Sequence, residues 1–201
     1  MRIEQKFFFL KKSKHLKILD LGGTINYWED IGFLHNDNGL NFEITLLNLD
    51  KVNVKHQNFK SIKGDATNLS NFKDNQFDFV IASHVIEHVK DVNTFIKELS
   101  RVSSKGYIEL PTILEDNLVF ENKNDHIWHT EFDDIGNKIN ISKKIQYLEP
   151  ILTVSSSKKF AKIFRQSLVL ELYCHQYFLN PQLYMPTFLA YLHCILSLLF
   201  P

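Results

Sequence analysis

The chain reads as an α/β protein, a doubly wound, mostly parallel sheet with helices on both faces. Three observations predict this. Lys17-Ile18-Leu19-Asp20-Leu21-Gly22-Gly23-Thr24 runs from apolar residues into an acid and two glycines. That is how a buried parallel strand hands over to a tight, ligand-approaching turn. Short apolar runs then alternate with helical segments five times in about 100 residues, as the units of a parallel sheet do. Finally, Asp20, Asp50, Asp65 and Ser83-His84 all fall where a strand ends, the edge at which such sheets bind ligands.

The elements follow in order. Residues 1–16 are a basic lead-in, and strand one is Lys17 to Leu21. Asn26 to Phe33 forms a short helix, and His35 to Asn41 a polar loop. Strand two, Glu43 to Leu49, has the Val, Ile, Leu and Thr content of a buried parallel strand, and Asp50 closes it. Phe59 to Ile62 is a short third strand leading to Gly64-Asp65-Ala66-Thr67, and Phe79 to Ala82 is the fourth. Asp91 or Asn93 can cap a helix running to about Val102, with Phe95, Ile96, Leu99 and Val102 on one face. Tyr107 to Leu110 is strand five, stopped by Pro111. Beyond it, Asp116 to Asp125 reads as polar loop, and Lys138 to Ile145 and Phe164 to Tyr173 as two late antiparallel strands.

Bulk composition narrows the class. At 201 residues, with 44 % hydrophobic and 23 % charged side chains, the chain can bury a core without disulfides. Lys plus Arg equals Asp plus Glu, so no global basic field favours nucleic acid. Cys174 and Cys194 have no metal-type spacing and read as free thiols, which fits a cytoplasmic protein. Phe7 to Leu10 is too short for a secretory signal before Lys11, Lys12 and Lys14. After Glu171 no Asp, Glu, Lys or Arg occurs, and Phe188 to Phe200 is unbroken and apolar. As a helix that run would span about 20 Å, short of a hydrocarbon core of roughly 30 Å. The expected division is therefore a main domain at 1–173 and an apolar segment at 174–201. The segment would serve as a buried terminal helix, a homodimer contact or a peripheral membrane contact.

Four ordered motifs carry a family resemblance. They are Asp20-Leu21-Gly22-Gly23-Thr24, Ile44 to Asp50, Gly64-Asp65-Ala66, and Phe77 to Val89 with its Ser83-His84-Val85-Ile86-Glu87-His88. Together they resemble the class I S-adenosylmethionine-dependent methyltransferases of the small, seven-stranded, Rossmann-like type. The resemblance covers Lys17 to Pro111, about half the chain. The family's glycines alternate after the acid, whereas Thr24 and Asn26 stand at the next two such places here, so Gly23 supplies the flexibility instead.

The resemblance implies S-adenosylmethionine as cofactor and assigns its contacts. Gly22 and Gly23 would let backbone N–H groups approach the amino-acid end, with Asp20 accepting from its amino group. Asp50 would accept the ribose hydroxyls, with Asn48 as a rival on the same side of the strand. Asp65 and Ala66 would face the adenine, and Ser83 and His84 would stand beside the methyl group.

The cofactor supplies the electrophile, so the protein's task is to position an acceptor and exclude water. Where that acceptor is a hydroxyl, His84, His126 or His129 is the candidate base. His126-Ile127-Trp128-His129 follows strand five, where the family often builds its acceptor wall, and Trp128 is placed to stack on a ring. His84, His88, His126 and His129 are also four potential ligands for an ion. They lack the contiguous His-Glu-x-x-His order, so no metal is expected. The reading is a methyltransferase acting on a small-molecule or glycan-precursor acceptor. The alternative is a partner subunit that binds the cofactor without turnover.

Overall fold

The computed structural model describes residues 15–30, 42–133, 135 and 138–175. The lead-in up to residue 14, the loop read at His35 to Asn41 and the apolar stretch from residue 176 onward lie outside the described residues. In chain order the elements are β1 (Leu16–Leu21), α1 (Ile25–Asp30), β2 (Phe42–Asn48), β3 (Phe59–Lys63), β4 (Phe79–Ser83), a 3₁₀ turn (Ile86–His88) and α2 (Val92–Val102). There follow β5 (Lys105–Pro111), α3 (Ile113–Leu118), α4 (Asn122–Asp125), β6 (Trp128–Asp133), β7 (Lys138–Lys143), α5 (Val154–Leu168) and β8 (Val169–His175).

The main sheet has the order β3-β2-β1-β4-β5-β8. The first five of these strands pair in parallel and β8 closes the edge antiparallel to β5. The order reverses between β1 and β4, which makes the gap above those two strands the switch point of the sheet. Among the described residues the sheet has six strands rather than seven. The remaining two, β6 and β7, form a separate antiparallel ribbon. β8 runs two residues past the domain limit read at 173.

Alternation along the buried strands sends successive side chains to opposite faces. On one face Leu19, Leu21, Val80, Ala82, Ile108 and Leu110 pack with Phe95, Leu99 and Val102 of α2. On the other, Ile18, Ile44, Leu46, Ile81 and Tyr107 pack with Trp28 of α1 and Phe59. Asp20 is two residues after Ile18, Asn48 two after Leu46, Ser83 two after Ile81 and Glu109 two after Tyr107. The polar end of each strand therefore emerges on the Trp28 face.

Three local readings change. The stretch read as loop at Asp116 to Asp125 is largely helical, because Thr112 accepts from Glu115 N and starts α3 directly after Pro111. Thr112-x-x-Glu115 is the capping-box pattern, and it was present in the sequence. The strand read at Phe164 begins only at Val169, since the preceding residues complete α5. The crossovers β2–β3 and β3–β4 are loops and turns without helices.

The second of those crossovers is held from outside. Arg101 on α2 donates to the carbonyls of Leu69 and Phe72, to Asp74 Oδ1 at 3.0 Å and to Glu98 at 2.8 and 2.9 Å. Glu98 in turn accepts from Leu69 N at 2.8 Å. Only a planar, five-donor guanidinium meets this set at once. Arg101→Lys is expected to lower stability by roughly 1–3 kcal/mol, as two buried carbonyls lose their donor. Urea denaturation of the two proteins measures the difference.

Candidate active site

The strand register lines up one end of the sheet. Leu21 stands beside Leu47 and Ala82, Asn48 beside Lys63, and Ser83 beside Glu109. The Gly22–Gly23 turn, Asn48, Gly64 and Ser83-His84 thus form one row at the carboxyl edge. Two close contacts tighten it. Gly22 N donates to Leu47 O at 2.9 Å, and Gly64 N donates to Asn48 O at 2.8 Å. Gly22 has φ +73°, a left-handed conformation in which a side chain is strained, and a Cβ there would meet Val85 Cγ2 at 3.2 Å. The turns after β1 and β4 therefore face each other across the switch point.

Asp20 is buried beneath this turn. Its Oδ2 accepts from Trp28 Nε1 at 2.8 Å, and a Cβ on Gly23 would collide with the carboxylate. Burial raises its pKa, the Trp28 hydrogen bond opposes that, and the balance lies at about 7. Asn48 completes the support by donating to Gly23 O at 3.0 Å. Asn48 is thereby committed to the turn, whereas Asp50 is exposed, with Lys63 Nζ at 3.2 Å. Asp65 is exposed too, its Oδ1 accepting from Thr67 N and Oγ1 at 2.8 and 2.7 Å. Ala66 is half-buried behind it, against the core. Trp28, the partner of the first acid, was not singled out in the sequence. Its only signal was an aromatic N–H donor eight residues on.

The histidines converge. Ser83 Oγ donates to Glu109 Oε1 at 3.3 Å, and His84, at φ +54°, places Nδ1 3.1 Å from Glu87 Oε1 and Nε2 3.5 Å from Glu109 Oε1. Burial pulls the His84 pKa down, but hydrogen bonds and charge from Glu109 and Glu87 outweigh it and raise the value to about 10. The shift favours the protonated ring, with each ring nitrogen beside a carboxylate. Tyr107 Oη bridges Glu109 to Glu171 Oε1. Burial and both carboxylates push its pKa far up.

Asp116 gathers the second pair. His126 Nδ1 donates to Asp116 Oδ1, His129 Nε2 lies 2.9 Å from Oδ2, and Lys144 Nζ donates to Oδ1 at 3.0 Å. Burial would raise the Asp116 pKa, yet His126 and Lys144 hold it below the usual carboxylate range. Burial dominates at His129 and lowers its pKa, and its ring stacks on Tyr147 at 6.0 Å. The rings of His88 and His126 meet edge to face at 4.6 Å. Trp128 spends its N–H on Val89 O at 2.7 Å. The backbone link Ile127 N to Glu87 O, 2.7 Å, docks the segment that bears His126 and His129 on the turn after β4. Asp116, Lys144 and Glu109 were not expected from the sequence, because each acquires its partner only through folding.

The Asp20 environment yields a pH test. A carboxyl whose folded pKa of about 7 exceeds its ordinary 3.8 stabilises the protein most below about 4, and that contribution is lost as pH rises through 7. Asp20→Asn keeps an acceptor for Trp28 and removes the titration. The gap in stability between variant and wild type is expected to change across pH 4–7 by on the order of 4 kcal/mol, at ~1.4 kcal/mol per unit. Denaturant titrations at several pH values measure it, and a constant gap would contradict the assignment.

Residues 22–108 match the family described as a methyltransferase domain. Demethylmenaquinone methyltransferase of Staphylococcus haemolyticus is 34 % identical over 84 residues, which are 41 % of this chain and 35 % of that protein. The same enzyme of Staphylococcus saprophyticus is 33 % identical over 84 residues, 41 % and 36 % of the two chains. The match thus spans about a third of these relatives. Among solved structures, a SAM-dependent methyltransferase from Aquifex aeolicus aligns over 86 % of this chain and 89 % of its own, with 13 % identity and a TM-score of 0.47. An arsenic(III) S-adenosylmethionine methyltransferase from Chlamydomonas reinhardtii aligns over 48 % and 39 %, with 21 % identity and a TM-score of 0.38. The segment from Gly22 to Ile108 is thus similar to a methyltransferase domain.

Proposed function

We propose that this chain transfers a methyl group from S-adenosylmethionine to a small-molecule or glycan-precursor acceptor. The observation that carries the reading is the row of strand ends: a left-handed glycine turn at β1, an exposed acid after β2, an Asp turn after β3 and Ser83-His84 after β4. The residues fit the cofactor. Gly22 and Gly23 leave bare backbone where a side chain would be strained or would collide. Asp50 and Asp65 keep carboxylate oxygens in solvent for ribose hydroxyls and an adenine amino group. Asp20 acts one layer down, holding the turn through Trp28 and Gly23 rather than meeting the ligand in the open.

When bound, the cofactor supplies an electrophilic methyl on a sulfonium sulfur, and no covalent help is needed from the protein. The chain's own contribution is alignment and exclusion of water, effects that can be worth roughly 7–11 kcal/mol. Ser83 and His84 stand at the switch point, and the β6 segment walls the same side through Ile127 and Glu87. The formal net charge of zero supports a small acceptor over nucleic acid.

Calorimetric titration with S-adenosylmethionine is expected to show one site per chain. Asp50→Ala and Asp65→Ala should each weaken it by about tenfold, ~1.4 kcal/mol. Radiolabelled methyl transfer into fractionated small metabolites then reports the acceptor. Binding with no transfer to any fraction would favour the non-catalytic partner subunit, and a folded protein that releases no heat would refute the reading.

A further inference from the structure

We propose that Glu87, His88 and His126 form a binding site for a divalent transition-metal ion of the zinc class, on the acceptor side of the switch point. One donor atom from each of the three lies within 4.8 Å of the other two. They come from two separate stretches, the 3₁₀ turn after β4 and the segment after α4, joined by the Ile127 N to Glu87 O hydrogen bond.

Both rings are oriented as ligands are. His88 Nδ1 lies 3.0 Å from the carbonyl oxygen of Asp125. A carbonyl only accepts, so Nδ1 carries the hydrogen and Nε2 keeps its lone pair. His126 Nδ1 is engaged with Asp116 Oδ1, which leaves Nε2 as the ring nitrogen available to an ion. A ligating histidine commonly donates its other N–H to a carboxylate or a backbone carbonyl, and here each ring has one of these two partners.

The third group points to a ligand on its own account. Glu87 is fully buried; Oε1 pairs with His84, and Oε2 has no hydrogen-bond partner among the described residues. A buried carboxylate oxygen left without a donor is costly. A cation at this point would satisfy it. Two imidazole nitrogens and one carboxylate oxygen, with a position left for water or substrate, is a donor set that zinc takes in open sites. Zinc bonds of ~2.1 Å place neighbouring donors about 3.4 Å apart, so rotamer shifts of roughly an ångström close the site. His88 is exposed and provides the entrance. The sequence argued against a metal on motif order; folding instead joins residues 38 positions apart.

The test uses the full chain after chelator treatment. Zn²⁺ titration is expected to show one saturable equivalent, and Co²⁺ is expected to give the intense visible absorption of a four-coordinate site. His88→Ala, at an exposed position, should fold normally by circular dichroism, weaken Zn²⁺ at least tenfold and abolish the Co²⁺ band. Glu87→Gln should weaken Zn²⁺ by a similar factor, while His56→Ala, outside the cluster, should change nothing. No saturable equivalent, an unchanged affinity in His88→Ala, or an equal loss in His56→Ala would each overturn the site. S-adenosylmethionine binding, measured on the same variants, reports separately on the methyltransferase reading.

Discussion

The candidate site hangs on one buried acid. Asp20 ends the central strand on the face that carries Trp28, and burial there would isolate its carboxylate. The Trp28 N–H satisfies one oxygen, and Gly23, having no side chain, lets the turn close over the group. Those two contacts fix the exit of β1, the position of α1 and the height of the glycine turn. Asn48 then ties the turn to the end of β2, and Gly64 ties the start of the next turn to the same strand. The edge that would meet a cofactor is thus a set of backbone loops referenced to one carboxylate rather than a collection of independent side chains.

A pair of buried carboxylates organises the opposite side of the switch point. Glu87 holds His84 and faces His88 and His126; Asp116 holds His126, His129 and Lys144. Neither acid is affordable in a core without these partners, and the partners have little reason to converge without the acids. The same two carboxylates, Glu87 and Glu109, favour the protonated form of His84. A buried network whose carboxylates pair with histidines and a lysine, yet leave Glu87 Oε2 and Asp116 Oδ2 without hydrogen bonds among the described residues, is a different object from a surface cluster of histidines. That difference is what gives this side of the switch point its chemical character.

Much of the parallel sheet was legible in the sequence. The strands before Pro111 are short apolar runs, and their ends are marked by acids and glycines, signals that local composition carries well. Asp91 and the Phe95, Leu99, Val102 stripe define α2 with equal clarity. The second half was less legible because its order comes from long-range pairing. β8 reads as apolar only once β5 is known to be its neighbour. The helix at Ile113 was obscured by polar side chains, although its capping residues were in plain view.

What the sequence determined by itself is the class of the domain and the identity of the strand-end residues. Both follow from periodicity and from the chemistry of Asp and Gly at fixed places along one strand. What only the tertiary structure decided is which of those residues face solvent and which are spent on the protein. Asp20 and Asn48 are turned to Trp28 and Gly23, while Asp50 and Asp65 remain open. The grouping of the histidines was decided there as well. Hydrogen bonding and burial depend on distance in space, and residues 38 apart in the chain acquire a common environment only when the segment before β6 docks on the turn after β4.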